Sequence, residues 1–320
     1  MYSFYKPLVL FALSGLLPLI NGNLVQQHDT DRLPWERTKS TGFGTLTTTS
    51  SNNGTILRVL MDNPPTNLYD YKLITDLYDL LSSVVPENIT VATPPPKVMI
   101  FASADPDFWM GHYDGALFGT NPPFNESYTE ELFTKNRAIV GMLKSLPTIF
   151  IAEINGRATG SGNEFLVQCD MSFSGPNTIL GAPEVAVGGV HGNGGIQHLV
   201  RLIGMQRTAE YMLTSSGIDA VTAAEIGWVN RMYRSEAKLR RAVDEIAGRI
   251  ALFPAAGLNG TKAMIREFSA PSSVVEADIA TIFRLEAGEK APDAEYLRIS
   301  KNQSRQFELV VPDNMVKIWE

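Results

Sequence analysis

The chain has 320 residues, 44% of them hydrophobic and 19% charged, with a net charge of −7. That length and apolar fraction suffice for a sizeable core and exclude wholesale disorder, collagen and coiled coil. The acidic balance argues against a nucleic-acid footprint. A single cysteine, Cys169, excludes an internal disulfide framework, and with only four histidines a structural zinc site is not expected.

The first 23 residues read MYSFYKPLVLFALSGLLPLINGN. One lysine, then an apolar run from Leu8 to Ile20, then Gly22, is the layout of a secretory leader over residues 1–22. The run is short for a bilayer span of about 20 residues, so no stable membrane span is expected after cleavage. The first arginine is Arg32, which does not suit a mitochondrial presequence. Sequons at Asn53, Asn88, Asn125, Asn259 and Asn302 fit passage through the secretory pathway.

Residues 23–42 are polar and aperiodic, a linker. Thr45–Thr49 and Ile56–Met61 are β-rich around the turn-like SSNNG and predict a hairpin. Leu73, Ile74, Leu77, Leu80, Leu81 and Val84 recur at helical spacing. Lys97–Ser103 reads as a buried strand, residues 104–135 mostly as loop, and residues 131–145 as a helix. Thr148–Ile154 is the next buried strand. A glycine-rich turn then leads into a short helix, EFLVQC, and two more short strands, MSFSG and TILG. From about Ile196 the chain reads as helical almost throughout, with Leu239, Val243, Ile246 and Ile250 on one face and Pro254 opening a further helix. Strands alternating with helices predict an α/β fold with a parallel sheet. Neither a P-loop, a dinucleotide-binding glycine fingerprint, a G-x-S-x-G elbow nor an H-E-x-x-H helix is present.

The chemistry concentrates between Thr148 and Gly204. Asn155–Glu164 joins a strand to a helix through glycines, and such a joint leaves backbone N–H groups unpaired at the helix start. Those donors suit an anion or a developing oxyanion. Gly160 and Gly162 would let the backbone approach a ligand closely, and Glu164 lies about one turn into the helix if it begins near Ser161. Twenty residues on, Glu184 follows Pro183. Two carboxylates beside an oxyanion hole are suited to moving protons and activating water, because mutual repulsion separates their pKa values. Neither histidine nor lysine is placed near Ser161 by sequence, so backbone donation is favoured there over a serine nucleophile. Cys169 reads as a small buried hydrophobe, and Asp114 and Asp170 as residues that shape their loops. Phe108, Trp109 and Tyr113 could line a ligand pocket or fill core. His112 reads as a packed imidazole, with a third acid/base as the alternative.

Five segments carry a resemblance: ILRVLMDNPPTN, KVMIFASADPDFWMGHYD, PTIFIAEINGRATGSGNEFLVQCDMSF, LGAPEVAVGGVHGNGGIQHLVRLIG and AAEIGWVNRM. In order and spacing, from about residue 43 to about 270, they resemble the crotonase superfamily, specifically enoyl-CoA hydratase/isomerase. The resemblance implies a spiral of ββα repeats (the ClpP/crotonase-like α/β fold) over residues 43–252, with a C-terminal helical oligomerisation region and tail over 253–320. It implies a homotrimer or homohexamer and an acyl-CoA thioester substrate, with no cofactor beyond the coenzyme A that the substrate carries. It places oxyanion donors at the N–H groups of Tyr113 and Ser161, hydratase glutamates at Glu164 and Glu184, and substrate-binding backbone at Gly111, His112, Gly160 and Gly162. His112 and Ser161 stand where the family has glycine, and the family's P-G-x-G-G turn reads His191-Gly192-Asn193-Gly194-Gly195. The expected reaction is hydration of an α,β double bond. The alternatives are double-bond isomerisation, or a secreted relative acting on or binding a non-CoA carbonyl. Family relatives imply mitochondria or peroxisomes, against the leader.

Overall fold

The computed structural model describes residues 42–85, 95–115, 126–286 and 303–310. The leader, the linker up to residue 41 and the sequons at Asn88, Asn125 and Asn302 lie outside them; Asn53 and Asn259 are exposed. Among the described residues no helix is long and apolar enough to cross a membrane.

Strands β1 (Leu46–Ser51) and β2 (Ile56–Met61) form the expected hairpin. Asn52, Asn53 and Gly54 all take positive φ in its turn, a conformation that asparagine and glycine tolerate best. Helix α1 (Tyr71–Ser83) starts where Asp70 caps the Leu73 N–H. Strands β3 (Val98–Ser103), β5 (Ile149–Ile154), β7 (Met171–Ser174) and β10 (Arg231–Met232) extend the sheet in the order β1-β2-β3-β5-β7-β10. All its pairings beyond the hairpin are parallel.

Parallel strands covered on both faces should be apolar on both faces, and these are. Met99, Phe101, Phe150, Ala152 and Ile154 join the main core with α1 and α2 (Glu126–Ser145). The alternate residues Val98, Ile100 and Ile151 pack under α7 (Glu236–Ala251), against Leu239, Val243, Ala247 and Ala251. On that same face Arg58 pairs with Glu153 at 2.6 Å and with Asp244 of α7 at 2.7 Å, and Arg240 reaches Glu153 at 3.1 Å.

A second sheet, β4-β6-β8-β9, is made of very short strands: β4 (Phe108–Met110), β6 (Arg157–Thr159), β8 (Ile179–Gly181) and β9 (Ile218–Asp219). Each of β3, β5 and β7 in the large sheet is followed at once by β4, β6 or β8 in the small one, and then by a helical segment: α2, α3 (Ser161–Leu166) or the 3₁₀ turn Glu184–Val187. This is the ββα repeat. Its consequence is local: β4, β6 and β8 run parallel, so residues 111–113, 160–164 and 182–184 leave their C-terminal ends side by side.

The structure corrects several boundaries. Residues 104–135, expected to be mostly loop, contain β4 and the first turns of α2, which begins at Glu126. The glycine turn after β5 contains β6. Pro254 is the N-cap of α8 (Ala255–Arg266), not its first residue. The C-terminal half carries α4 (Gly195–Ile203), α5 (Met205–Thr214), α6 (Ala220–Ile226) and α9 (Ser272–Glu286), interrupted by β9 and β10.

Candidate active site

Three chain passages meet at the ends of β4, β6 and β8, and backbone bonds stitch them together. Gly162 N–H donates to Gly111 O at 3.1 Å, and Gly160 N–H donates to Gly181 O at 3.0 Å. These approaches need glycine. A Cβ on Gly162 would lie 2.0 Å from the Met110 carbonyl oxygen. One on Gly160, whose φ is +54°, would lie 2.7 Å from both Glu184 Oε1 and His112 Cβ. The close approach that the sequence suggested is therefore first of all to the protein's own atoms.

Helix α3 begins at Ser161, and all six of its residues are buried. Among the described residues no acceptor takes the Ser161 N–H, which opens the helix. Tyr113 forms a parallel bridge with Tyr69, in which Tyr69 N–H donates to His112 O and Asp114 N–H donates to Tyr69 O. In such a bridge the N–H of the central residue points away from its partner strand.

Glu164 is 3% exposed. Its Oε1 accepts from Gly192 N–H, and its Oε2 accepts from Asn193 Nδ2 at 2.5 Å. Glu184 is half-buried, and carboxylate atoms of Glu164 and Glu184 and a ring nitrogen of His191 all lie within 4.8 Å of one another. Burial drives the Glu164 pKa up, His191 pulls it down, and the Glu184 charge raises it again; it settles near 7.

The sequence did not single out the partners that hold this pair. His191 is buried with Nδ1 3.3 Å from Glu184 Oε2 and 3.6 Å from Glu164 Oε1. Burial opposes a charge on its ring, but Glu184 and Glu164 outweigh that and raise its pKa. Asn193 is fixed by a buried chain: Tyr69 Oη donates to Asn136 Oδ1, and Asn136 Nδ2 donates to Asn193 Oδ1 at 2.7 Å. That turns the Asn193 amide nitrogen toward Glu164 and the Tyr113 hydroxyl. These residues come together from positions 69 to 193. The one local signal was a histidine and an asparagine inside a glycine-rich turn.

Other expectations resolve individually. Phe108 and Trp109 fill core, while Tyr113 sits at the site through Asn193. Cys169 is half-buried, and burial pushes its thiol well above the usual range. Asp170 accepts from Phe150 N–H and pairs with Lys262 and Arg266, so it shapes the fold. Asp114 accepts from Gln303 Nε2.

His112 meets the C-terminal segment 303–310. Its Nε2 lies 3.1 Å from the buried Glu308 carboxylate. Burial alone would lower its pKa; Glu308 overrides that and holds it at about 9. Arg305 pairs with Asp105 at 2.5 Å and with Asp107. Gln303 also accepts from Gly115 N–H, and Arg157 donates to Leu309 O. The segment thus straps the loop that carries Tyr113.

Comparison with known proteins establishes the family and the fold. The family model for enoyl-CoA hydratase/isomerase matches residues 51–280. The chain belongs to the enoyl-CoA hydratase/isomerase family of the crotonase superfamily. A crystal structure of an enoyl-CoA hydratase candidate from Streptomyces avermitilis is 35% identical and superposes with a TM-score of 0.75, covering 87% of this chain and 98% of that one. The enoyl-CoA hydratase of Bacillus halodurans shares the fold, with a TM-score of 0.69 at 17% identity over 80% of this chain and all of that one. The Arabidopsis thaliana protein named "Probable enoyl-CoA hydratase 2, mitochondrial" is 28% identical over 189 residues, 59% of this chain. The match spans 60% of that relative's length.

Proposed function

We propose that this chain hydrates the α,β double bond of an acyl-CoA thioester. The observation that carries the reading is the convergence of Glu164 and Glu184 on the loop ends that present the Ser161 and Tyr113 N–H groups. The thioester carbonyl would sit between those two donors. As water adds to the β-carbon, charge grows on the carbonyl oxygen, and each donor contributes about 3 kcal/mol. Ionised Glu164, its oxygens held by Gly192 and Asn193, takes a proton from water. Protonated Glu184 delivers one to the α-carbon. A pKa near 7 suits Glu164 to this work at neutral pH.

The test mixes the full chain and its Glu164→Gln variant with crotonyl-CoA and follows loss of the conjugated enoyl-thioester absorbance. Loss with the native chain and a rate about 10³-fold lower in the variant are expected. Unchanged turnover in the variant, with circular dichroism confirming its fold, sinks the assignment. Selective tolerance of Glu184→Gln in an isomerisation assay would shift the reading to a double-bond isomerase.

We further propose that the protein works as a homotrimer or a hexamer. Met264, Ile265 and Phe268, at the end of α8, are 64–79% exposed, a row of large apolar side chains that a lone subunit leaves in water. Sedimentation equilibrium distinguishes this from a monomer.

A further inference from the structure

His191 is the one member of the buried cluster with no role in the reaction as written, and its hydrogen bonds fix which nitrogen carries its proton. Trp228 Nε1–H, which can only donate, donates to Asn163 Oδ1 at 2.9 Å. That orients the Asn163 amide, so its NH₂ faces His191 Nε2 at 3.0 Å. A donor facing Nε2 requires a lone pair there. The ring proton is therefore on Nδ1, and Nδ1 faces Glu184 Oε2 at 3.3 Å and Glu164 Oε1 at 3.6 Å. Among the described residues neither His191 Nδ1 nor Glu184 Oε2 makes a well-formed hydrogen bond, their 3.3 Å contact with each other included. A buried polar atom left this way calls for an explanation, and a role at a reacting group is one. Catalytic contacts of this length commonly tighten once substrate is bound.

We propose that His191 is a positioning residue: its Nδ1–H, locked by Asn163 and Trp228, ties down Glu184 Oε2 and leaves Oε1, beside Gly160, to carry the transferable proton. This deepens the hydratase reading and rests on it for the effect on rate; the tautomer itself does not. The charged and titratable groups around the ring are Glu164 from α3, Glu184 from the 3₁₀ turn and Asp278 from α9, while His112 faces Glu184 from the β4 loop. The carboxylates favour a second proton on the ring, and the Asn163 NH₂ opposes it at Nε2. The same lock argues against a divalent cation among Glu164, Glu184 and His191. Coordination by Nδ1 would need the proton moved to Nε2, against the Asn163 amide.

The experiment has two arms. In the first, the full chain is labelled with ¹⁵N-histidine; with four histidines, His191 is assigned by its loss in His191→Asn. Where the ring is neutral, a proton on Nδ1 and a bare Nε2 are expected. A neutral ring with its proton on Nε2 overturns the proposal whatever the reaction is. In the second arm, His191→Phe removes the donor, while His191→Asn keeps an N–H where Nδ1 was. Phe should lower kcat about tenfold with KM nearly unchanged. Carboxylates that lose a donor titrate higher, so both limbs of the pH profile should move to higher pH, and Asn should restore them. Limbs that stay in place, or turnover that chelators abolish and zinc restores, overturn it. A wild-type chain with the expected tautomer and no hydratase activity would instead refute the reaction assignment alone.

Discussion

Two clusters of buried charge sit on opposite sides of β5, and they are built on opposite rules. Under α7, Glu153 and Asp244 are met by Arg58, and Glu153 also by Arg240, so each carboxylate has a guanidinium within 3.1 Å. At the ends of β4, β6 and β8, Glu164 and Glu184 face each other across a histidine, with neither lysine nor arginine among their ion pairs within the described residues. Matched charges hold elements together and stay inert. Unmatched ones cost stability and can push a buried carboxylate up toward neutrality, as at Glu164.

Breaking the unmatched cluster should give the largest effect. The rate loss for Glu164→Gln, about 10³-fold, corresponds to roughly 4 kcal/mol of transition-state stabilisation. Breaking the matched cluster should unfold rather than inactivate. Arg58→Ala leaves Asp244 without its guanidinium and Glu153 with Arg240 alone, and should lower unfolding stability by about 3 kcal/mol, read from urea denaturation.

The third prediction concerns pH. The Glu164 pKa rises from 4.5 in the unfolded chain to about 7 in the fold, so the native state holds a proton that the unfolded state releases. Its favourable contribution is complete below pH 4.5 and is lost as pH rises through 7. Relative to Glu164→Gln, wild-type stability should fall by roughly 3 kcal/mol across that window. A constant offset between the two, from the glutamine amide meeting the Gly192 and Asn193 donors, would leave the slope intact. Parallel stability curves would show that Glu164 is ionised throughout. The smallest effect belongs to the strap. His112 is held protonated by Glu308, so the stability it supplies is present below pH 6.5 and lost as pH rises through about 9. Glu308→Gln should cost on the order of 1 kcal/mol at pH 7 and little at pH 10, where His112 is neutral either way.

The elements legible in sequence were those with enough residues to show a period: the hairpin, α1, β3, β5 and α7. Strands β4 and β6 have three residues each, too few to alternate visibly, and they exist because β3 and β5 deliver them side by side. The carboxylates of the site were legible because each follows a strand and a turn of recognisable chemistry. Their holders were not. Asn193 reaches Glu164 only through Asn136 and Tyr69, and Asn163 faces His191 only because Trp228 turns its amide. Such contacts are decided by rotamers in a folded interior, where spacing along the chain carries no signal.

The strap has a consequence in time. Arg305 lies 200 positions after Asp105, and Glu308 lies 196 after His112. A contact cannot form before its second residue has been made. At about 5–20 residues per second, synthesis leaves the β4 loop without this clasp for roughly 10–40 s, long after Glu164, Glu184 and His191 have emerged. The cluster of Glu164, Glu184 and His191 can assemble on the nascent chain. The clasp on the loop bearing Tyr113 comes from residues made about 200 positions later.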